Sequence, residues 1–187
     1  MDVEHCQQVL RTAGVSFEAG LSATELRAAE LRFGFTFPPD LAEFLAVGLP
    51  VGTGFPTWRH LDDDKLCGSF DWPYEGMCFD IEHNTFWPLQ WGPRPHDLQH
   101  AFDIARGHIA AAPILIPIRG HRYLPASPSS AGNPVFSVYQ TDIILYGVDL
   151  ENYFQNEYHY FFGTPAYSLP TVPRKIDFWS WLVELNE

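Results

Sequence analysis

Cations are scarce in this chain: 11 Lys and Arg stand against 23 Asp and Glu in 187 residues, so the formal net charge is −12 at pH 7. A protein that binds nucleic acid or an anionic membrane surface needs clustered Lys and Arg to meet phosphate groups. The sequence therefore predicts neither a nucleic-acid partner nor a membrane partner. A strongly acidic surface instead attracts a basic partner and speeds its association.

Cysteine is also rare, because the chain holds only Cys6, Cys67 and Cys78 and has no Cys-x-x-Cys spacing. Such a set predicts neither a disulfide framework nor a zinc site, and we expect no metal and no cofactor. The first residues lack a basic segment followed by an apolar run, and no run approaches about 18 apolar residues. We therefore expect no signal peptide, no membrane span and a reducing, cytoplasmic location.

Aromatic residues, in contrast, are abundant: the chain contains 15 Phe, 8 Tyr and 6 Trp. Such side chains bury large areas, so a dense aromatic core is the simplest explanation, although some Trp could anchor a protein interface. The sequence shows no internal repeat and no stretch that resembles a linker. Its length fits one domain, which we predict to span residues 1–187.

Two short helices with clear boundaries are predicted in the first third of the chain. Ser22 has the capping-box spacing to Glu25 at the start of the first helix. Gly34 supplies the left-handed residue that ends this helix. One of the two prolines at 38 and 39 can begin the second helix, and Gly48 closes it.

This segment, from 21 to 50, resembles the N-terminal signature of the SUKH superfamily, which comprises bacterial immunity proteins and fungal regulators of cell-wall synthesis. The shared features are a helix with a Phe-Gly turn, a Pro-led second helix and a following glycine, here Glu30–Gly34, Pro38–Leu45 and Gly48. The run Phe79–Trp87 resembles the first sheet segment of the same family. The resemblance implies an α+β domain that binds a protein partner without catalysis.

Hydrophobic periodicity predicts the other elements of the fold. Further helices are expected over residues 2–13 and after the capping residues Asp97, Asp149 and Asp177. Strands are expected at 77–82, 85–90, 114–118, 135–139 and 143–146, and loops at 48–76, 125–134 and 163–173. The first two strands would form a hairpin. We predict an α+β fold in which N-terminal helices cover one face of a single antiparallel or mixed sheet.

The predicted hairpin contains the polar residues that are the clearest candidates for a chemical site. Asp80 and Glu82 would share one face of its first strand, with His83 in the turn. Two carboxylates on one face suit acid–base or metal chemistry, but they also suit the solvated side of a half-buried hairpin, which is the commoner case. His121 and Arg122, which follow a buried strand, could pair with these carboxylates in an internal network or around a ligand.

A wider region, residues 58–91, combines tryptophans with carboxylates, including Asp71. Protein-binding faces have aromatic anchors at the centre and complementary charge at the rim, whereas tryptophans can also simply build a core. The predicted partner-binding residues are Trp58, Asp62, Asp63, Asp64, Trp72, Glu75, Asp80, Glu82, His83, Trp87, Trp91, His121 and Arg122.

Three functions remain open at this point. The first is an immunity protein that binds a toxin domain, which the negative charge suggests is a basic enzyme, and covers its active site. The second is a hydrolase-like enzyme built on Asp80, Glu82 and His83, with His121 or Asp142 as a further candidate, and the third is a cytosolic regulatory scaffold. The resemblance implies the first function, and the net negative charge and the aromatic and acidic region agree with it, so we favour it. The sequence contains no Gly-x-Ser-x-Gly motif and no phosphate loop, and we predict no catalytic residue.

Overall fold

The computed structural model describes residues 1–186, and these form eight α-helices and six β-strands. The helices are α1 (Val3–Thr12), α2 (Ala23–Phe33), α3 (Pro39–Val47), α4 (Asp64–His83), α5 (Leu98–Ala111), α6 (Leu150–Glu157), α7 (His159–Phe162) and α8 (Trp179–Asn186). The strands are β1 (Ser16–Ala19), β2 (Gly48–Val51), β3 (Leu115–Arg119), β4 (Arg122–Pro125), β5 (Val135–Tyr139) and β6 (Asp142–Gly147). The predicted α+β class is confirmed. The prediction of one domain over residues 1–187 includes Glu187, which lies outside the described residues, and stays a prediction.

The strands form two antiparallel sheets instead of the single sheet that was predicted. β1 pairs with β2, and β3 to β6 form a second sheet in chain order. Strands β1 and β4 were not predicted from the sequence, and β2 falls in a predicted loop. These three strands have four residues each, which is too short for a clear alternation pattern, and β2 also contains Gly and Pro.

Both faces of the larger sheet are covered, so the prediction of one covered face is wrong. Alternate residues of a strand point to opposite faces. Leu124 packs in one core with α1, α3 and α6, while its neighbour Tyr123 packs in a second core with α4, α5 and α8. Residues Val135 to Val138 of β5 are all buried, as expected of a strand enclosed on both sides.

Hydrogen bonds and backbone angles confirm the predicted boundaries of α2 and α3. The backbone N–H of Ser22 donates to Glu25 Oε2 at 2.8 Å, and the N–H of Glu25 donates to Ser22 Oγ at 3.3 Å. Gly34 ends α2 with a left-handed φ of 74°, and Pro39 begins α3. Gly48 ends α3, and its extended backbone starts β2 at once.

Helix α4 is the largest departure from prediction, because it replaces the end of the predicted loop and the first strand of the predicted hairpin. It begins at a side-chain cap in which Asp63 accepts hydrogen bonds from the N–H groups of Lys65 and Leu66. The second predicted strand, 85–90, is also absent. In its place the chain runs without regular structure into a 3₁₀ turn, Leu89–Trp91.

Pro73 lies inside α4 and is buried against the sheet. Proline has no N–H, so the carbonyl four residues earlier, on Ser69, loses its helical partner. The hydroxyl of Tyr123 donates to this carbonyl at 2.9 Å and replaces the missing bond from the neighbouring sheet. The helix is thus attached to β4 at the point where its own hydrogen-bond ladder is interrupted.

Candidate functional site

Four carboxylates form a stripe along the outer face of α4. Asp64, Asp71, Glu75 and Glu82 are all exposed, and they follow one another at intervals of seven, four and seven residues. Seven and four residues are close to whole turns of an α-helix, so these side chains lie in one line. With a rise of about 1.5 Å per residue the line is roughly 27 Å long. We call it the acidic ridge.

Within the described residues, the carboxylates of the acidic ridge form no ion pair with a Lys or Arg side chain. Among residues 1–186, neither Asp64, Asp71 nor Glu75 forms an ion pair, and Glu82 has only the adjacent His83, whose Nε2 lies 3.6 Å from Glu82 Oε2. Some acidic side chains elsewhere are paired: Arg59, for example, contacts Glu18 and Glu25 at 2.9 Å each. The ridge therefore presents a negative potential to solvent.

A groove of about 400 Å³ lies along one side of the acidic ridge, where α4 meets the end of the larger sheet. Its aromatic wall consists of Trp72, His121 and Tyr139. The centroid of the Tyr139 ring lies 6.0 Å from that of Trp72 and 6.1 Å from that of His121. The indole N–H of Trp72 donates to the carbonyl of Val138 at 3.0 Å. This bond holds the indole in place, so the groove has a preformed aromatic side.

A second groove, of about 430 Å³, lies on the opposite side of the acidic ridge between α4 and α5. Tyr74, Phe79 and Phe102 supply its aromatic surface, and the guanidinium of Arg106 lies 4.1 Å from the centre of the Tyr74 ring. Phe79 remains 46% exposed. The negative ridge is therefore flanked by aromatic surface on both sides.

His121 contributes an uncharged ring to the first groove near neutral pH. Partial burial lowers the pKa of its imidazole, and the positive charge of Arg122 lowers the same pKa further, while Glu157 acts in the opposite direction. A lowered pKa favours the neutral form. The groove therefore gains no positive charge from His121, and Lys65 is the cation among its lining residues.

Asp80 has a structural role, and the predicted pairing of Asp80 with Glu82 on one strand face is wrong. The carboxylate of Asp80 is 5% exposed and accepts hydrogen bonds from the backbone N–H and the hydroxyl of Thr141 and from the amide of Asn84. Glu82 instead points to solvent. In a helix, residues two apart face different directions, so these two carboxylates do not act on one substrate atom.

Three further predicted residues support the fold around the start of α4. Trp58 is only 3% exposed and packs against a cluster of phenylalanines, Phe33, Phe35, Phe37 and Phe70. Asp63 caps α4, and the hydrogen bond from the N–H of Leu66 lowers the pKa of its carboxyl. Asp62 lies 3.2 Å from the guanidinium of Arg32.

The remaining predicted residues are not part of the acidic ridge. The prediction of His83 in a hairpin turn is wrong, because it is the last residue of α4, with its ring 4.5 Å from that of Phe79. Trp87 and Trp91 lie half-buried beyond the end of α4, where Trp91 stacks on His108 at 4.6 Å. Arg122 lies on the other face of the sheet, beside Glu157. Of the thirteen predicted residues, the structure therefore brings together five around the outer face of α4, namely Asp64, Trp72, Glu75, Glu82 and His121.

The predicted set omitted Asp71, which completes the acidic ridge, and the flanking aromatic residues Tyr74, Phe79, Phe102 and Tyr139. The intervals between the four carboxylates were the available signal, because they match helical turns and not strand alternation. Phe102 and Tyr139 come from other elements, and only the folded structure brings them to the ridge.

Comparisons with protein-family models, with curated proteins and with solved structures find no match to this chain. Within residues 1–186, no group of three or more His, Cys, Asp or Glu side chains is placed to hold a metal ion. The described helices include none that is both long and apolar enough to cross a membrane.

Proposed function

We propose that this protein is a non-catalytic, immunity-type binding domain that neutralises a basic toxin enzyme by covering it. The acidic ridge of α4 and its two flanking grooves would form the contact surface. The observation that carries this proposal is the line of Asp64, Asp71 and Glu75, which are exposed, unpaired among the described residues and bordered by aromatic rings.

Electrostatics support a basic partner. The chain has a net charge of −12, and most of its described cations are already bound to the protein's own groups, such as Arg59 to Glu18 and Glu25. Complementary charge raises association rates above the range of about 10⁵–10⁶ M⁻¹s⁻¹ that is typical without steering. The aromatic grooves would add desolvated anchor contacts, which usually supply most of the binding energy of an interface.

The resemblance of residues 21–50 to the SUKH superfamily also supports an immunity function. Its second part does not add support, because Phe79–Trp87 forms the end of α4 and the following irregular segment and contains no strand. The proposal therefore depends on the first part of the resemblance and on the charge and shape of the α4 surface.

The two alternatives give different results in simple assays. A hydrolase-like enzyme would need Asp80, yet this carboxylate already accepts three hydrogen bonds within the fold. A regulatory scaffold would use a similar surface but would leave the activity of its partner unchanged. Inhibition of the partner is therefore the property that separates an immunity protein from a scaffold.

The test begins with capture of partners from the native cell lysate on the immobilised protein. Three forms are compared: wild type, Asp71→Lys/Glu75→Lys on the acidic ridge, and Glu4→Lys/Glu43→Lys, which makes the same charge change at exposed positions of α1 and α3. We expect wild type and the control to retain one basic enzyme in equimolar amount, and the ridge variant to lose it.

The captured enzyme is then assayed with and without one equivalent of the protein. We expect its activity to be blocked by wild type and by the control variant and to persist with the ridge variant. Equal capture by all three forms would contradict the assignment of the surface. Full activity in a saturated complex would contradict the immunity function.

A further inference from the structure

A cavity of about 780 Å³ lies beside β6, the strand at one edge of the larger sheet. It is larger than either groove beside the acidic ridge. Its volume falls within the range of about 300–1,000 Å³ that is usual for sites of small ligands. Helix α8 and the segment 167–175 form its other sides. Most of its lining side chains are apolar, among them Ile144, Leu145, Leu169, Val172 and Val183.

Several of these apolar side chains are exposed to solvent at the cavity. Val172 is 93% exposed and Ile144 is 43% exposed, and Tyr167 and Leu169 are exposed as well. Contiguous apolar surface that stays exposed and is bordered by polar residues is typical of a binding site. The cavity therefore favours a ligand with an apolar part.

The edge of β6 does not favour a further β-strand as the ligand, because side chains already occupy its outward carbonyls. The amide of Asn186 donates to the carbonyls of Thr141 and Ile143 at 2.9 and 3.1 Å. The hydroxyl of Tyr167 donates to the carbonyl of Leu145 at 2.8 Å. A peptide that added to the sheet would need these same acceptors. A small molecule that fills the cavity without pairing with the backbone fits these contacts better.

The cavity has a net positive charge, although the chain as a whole has a net charge of −12. Its charged lining residues are two cations and one anion, Arg174, Lys175 and Glu184. Lys175 Nζ lies 2.7 Å from Glu184 Oε1, so this pair is neutral. Arg174 forms no ion pair among residues 1–186. Its guanidinium instead donates to neutral acceptors of the loop 130–133, including Ser130 Oγ at 3.0 Å, which hold it in place and leave its charge uncompensated.

We propose that this cavity binds a small amphipathic carboxylate of the fatty-acid class, with its alkyl chain against Ile144, Leu169 and Val172 and its carboxylate at Arg174. A guanidinium suits a carboxylate because its planar donors match the two oxygens. The apolar lining suits an alkyl chain because each methylene removed from water strengthens binding. The inference is independent of the proposed function, since none of these residues belongs to the acidic ridge or lines its grooves.

Calorimetric titration of the full chain at neutral pH tests both parts of the ligand. With hexanoate, octanoate and decanoate, we expect the affinity to rise about fourfold for each added methylene, the factor that corresponds to the burial of one CH₂ group. Octanol is a neutral analogue of similar length. We expect it to bind at least about tenfold more weakly than octanoate, because it cannot form the charge-assisted hydrogen bonds.

Two matched pairs of variants test the location of the site. Val172→Asp and Leu89→Asp make the same change at two almost fully exposed positions, and Leu89 does not line the cavity. Arg174→Gln is compared with Arg27→Gln, which changes an exposed arginine of α2 outside the cavity. We expect Val172→Asp and Arg174→Gln to weaken octanoate binding at least about tenfold and both controls to bind like wild type. Arg174→Gln should also lose the preference for octanoate over octanol.

The proposal is overturned if decanoate does not bind wild type, or if wild type binds octanoate and octanol equally well. Equal affinities of Val172→Asp and Leu89→Asp for octanoate would place the binding elsewhere and would overturn it too. If Arg174→Gln fails to fold, the comparison of octanoate with octanol still tests the role of charge, because it needs no variant. None of these results bears on the binding of a protein partner to the acidic ridge.

Discussion

The two faces of α4 use the same chemical group in opposite ways. On the inner face, Asp80 is buried and accepts three hydrogen bonds, two from Thr141 in the β5–β6 turn and one from Asn84 at the end of α4. On the outer face, Asp71 and Glu75 are exposed and have no cationic partner among the described residues. The role of a carboxylate here follows from its position around the helix, and not from its neighbours in sequence.

The largest effect is expected where the inner face touches the sheet most closely. A Cβ atom at Gly76 would lie 2.8 Å from the Cα of Gln140, and the backbone at both positions has little freedom to move. We expect Gly76→Ala to lower the free energy of unfolding by about 3 kcal/mol, the upper part of the usual range for overpacking. Chemical denaturation measures the loss.

Gly68→Ala is the control for this prediction, because Gly68 belongs to the same helix but is exposed, and its Cβ would meet nothing within 4 Å. Alanine is the better helix former, so we expect this variant to be more stable than wild type by about 0.5–1 kcal/mol. Equal changes in the free energy of unfolding for Gly76→Ala and Gly68→Ala would contradict the proposed difference between the two faces of α4.

The second largest effect concerns the carboxylates themselves. Asp80→Asn replaces one acceptor oxygen by an amide, which would face the donors of Thr141 or Asn84. We expect a loss of about 2 kcal/mol, because a buried hydrogen bond to a charged group is broken. Glu82→Gln on the outer face should change stability by no more than about 0.5 kcal/mol. Denaturation curves of equal midpoint for the two variants would contradict this.

A smaller effect is expected at the hydrogen bond that compensates for Pro73. Tyr123→Phe removes the hydroxyl that donates to the carbonyl of Ser69, and we expect it to cost about 1 kcal/mol. In a Pro73→Ala background, the new backbone N–H can donate to the same carbonyl, so the loss should nearly disappear. A double-mutant cycle measures this coupling, and strictly additive effects would exclude it.

The accuracy of the sequence predictions differed between α2–α3 and α4 for physical reasons. The boundaries of α2 and α3 were predictable because Ser22, Gly34 and Pro39 act locally, through caps that need no distant partner. In α4, Gly68, Pro73 and Gly76 are typical of loops by themselves. Their helical conformation depends on tertiary contacts, such as those of Tyr123 with Ser69 and of Gln140 with Gly76.

The candidate site was partly predictable for the same reason. Glu75 and Trp72 could be selected from composition alone, and the helical intervals of the carboxylates were present in the sequence. The aromatic rings of Tyr139 and Phe102 come from a sheet and from a different helix, so no local pattern connects them to α4. The covered second face of the sheet also depends on long-range packing.

The most direct test of the account is the association rate of the captured partner with Glu75→Lys and with Glu43→Lys, measured at low and at physiological ionic strength. Both are exposed helical glutamates, so the charge change is the same. We predict that Glu75→Lys slows association about tenfold relative to wild type at low salt. This difference in rate should become smaller at physiological ionic strength, because salt screens the charges. The association rate of Glu43→Lys should stay close to that of wild type. Equal rates for the two variants at every salt concentration would show that the outer face of α4 is not the binding surface.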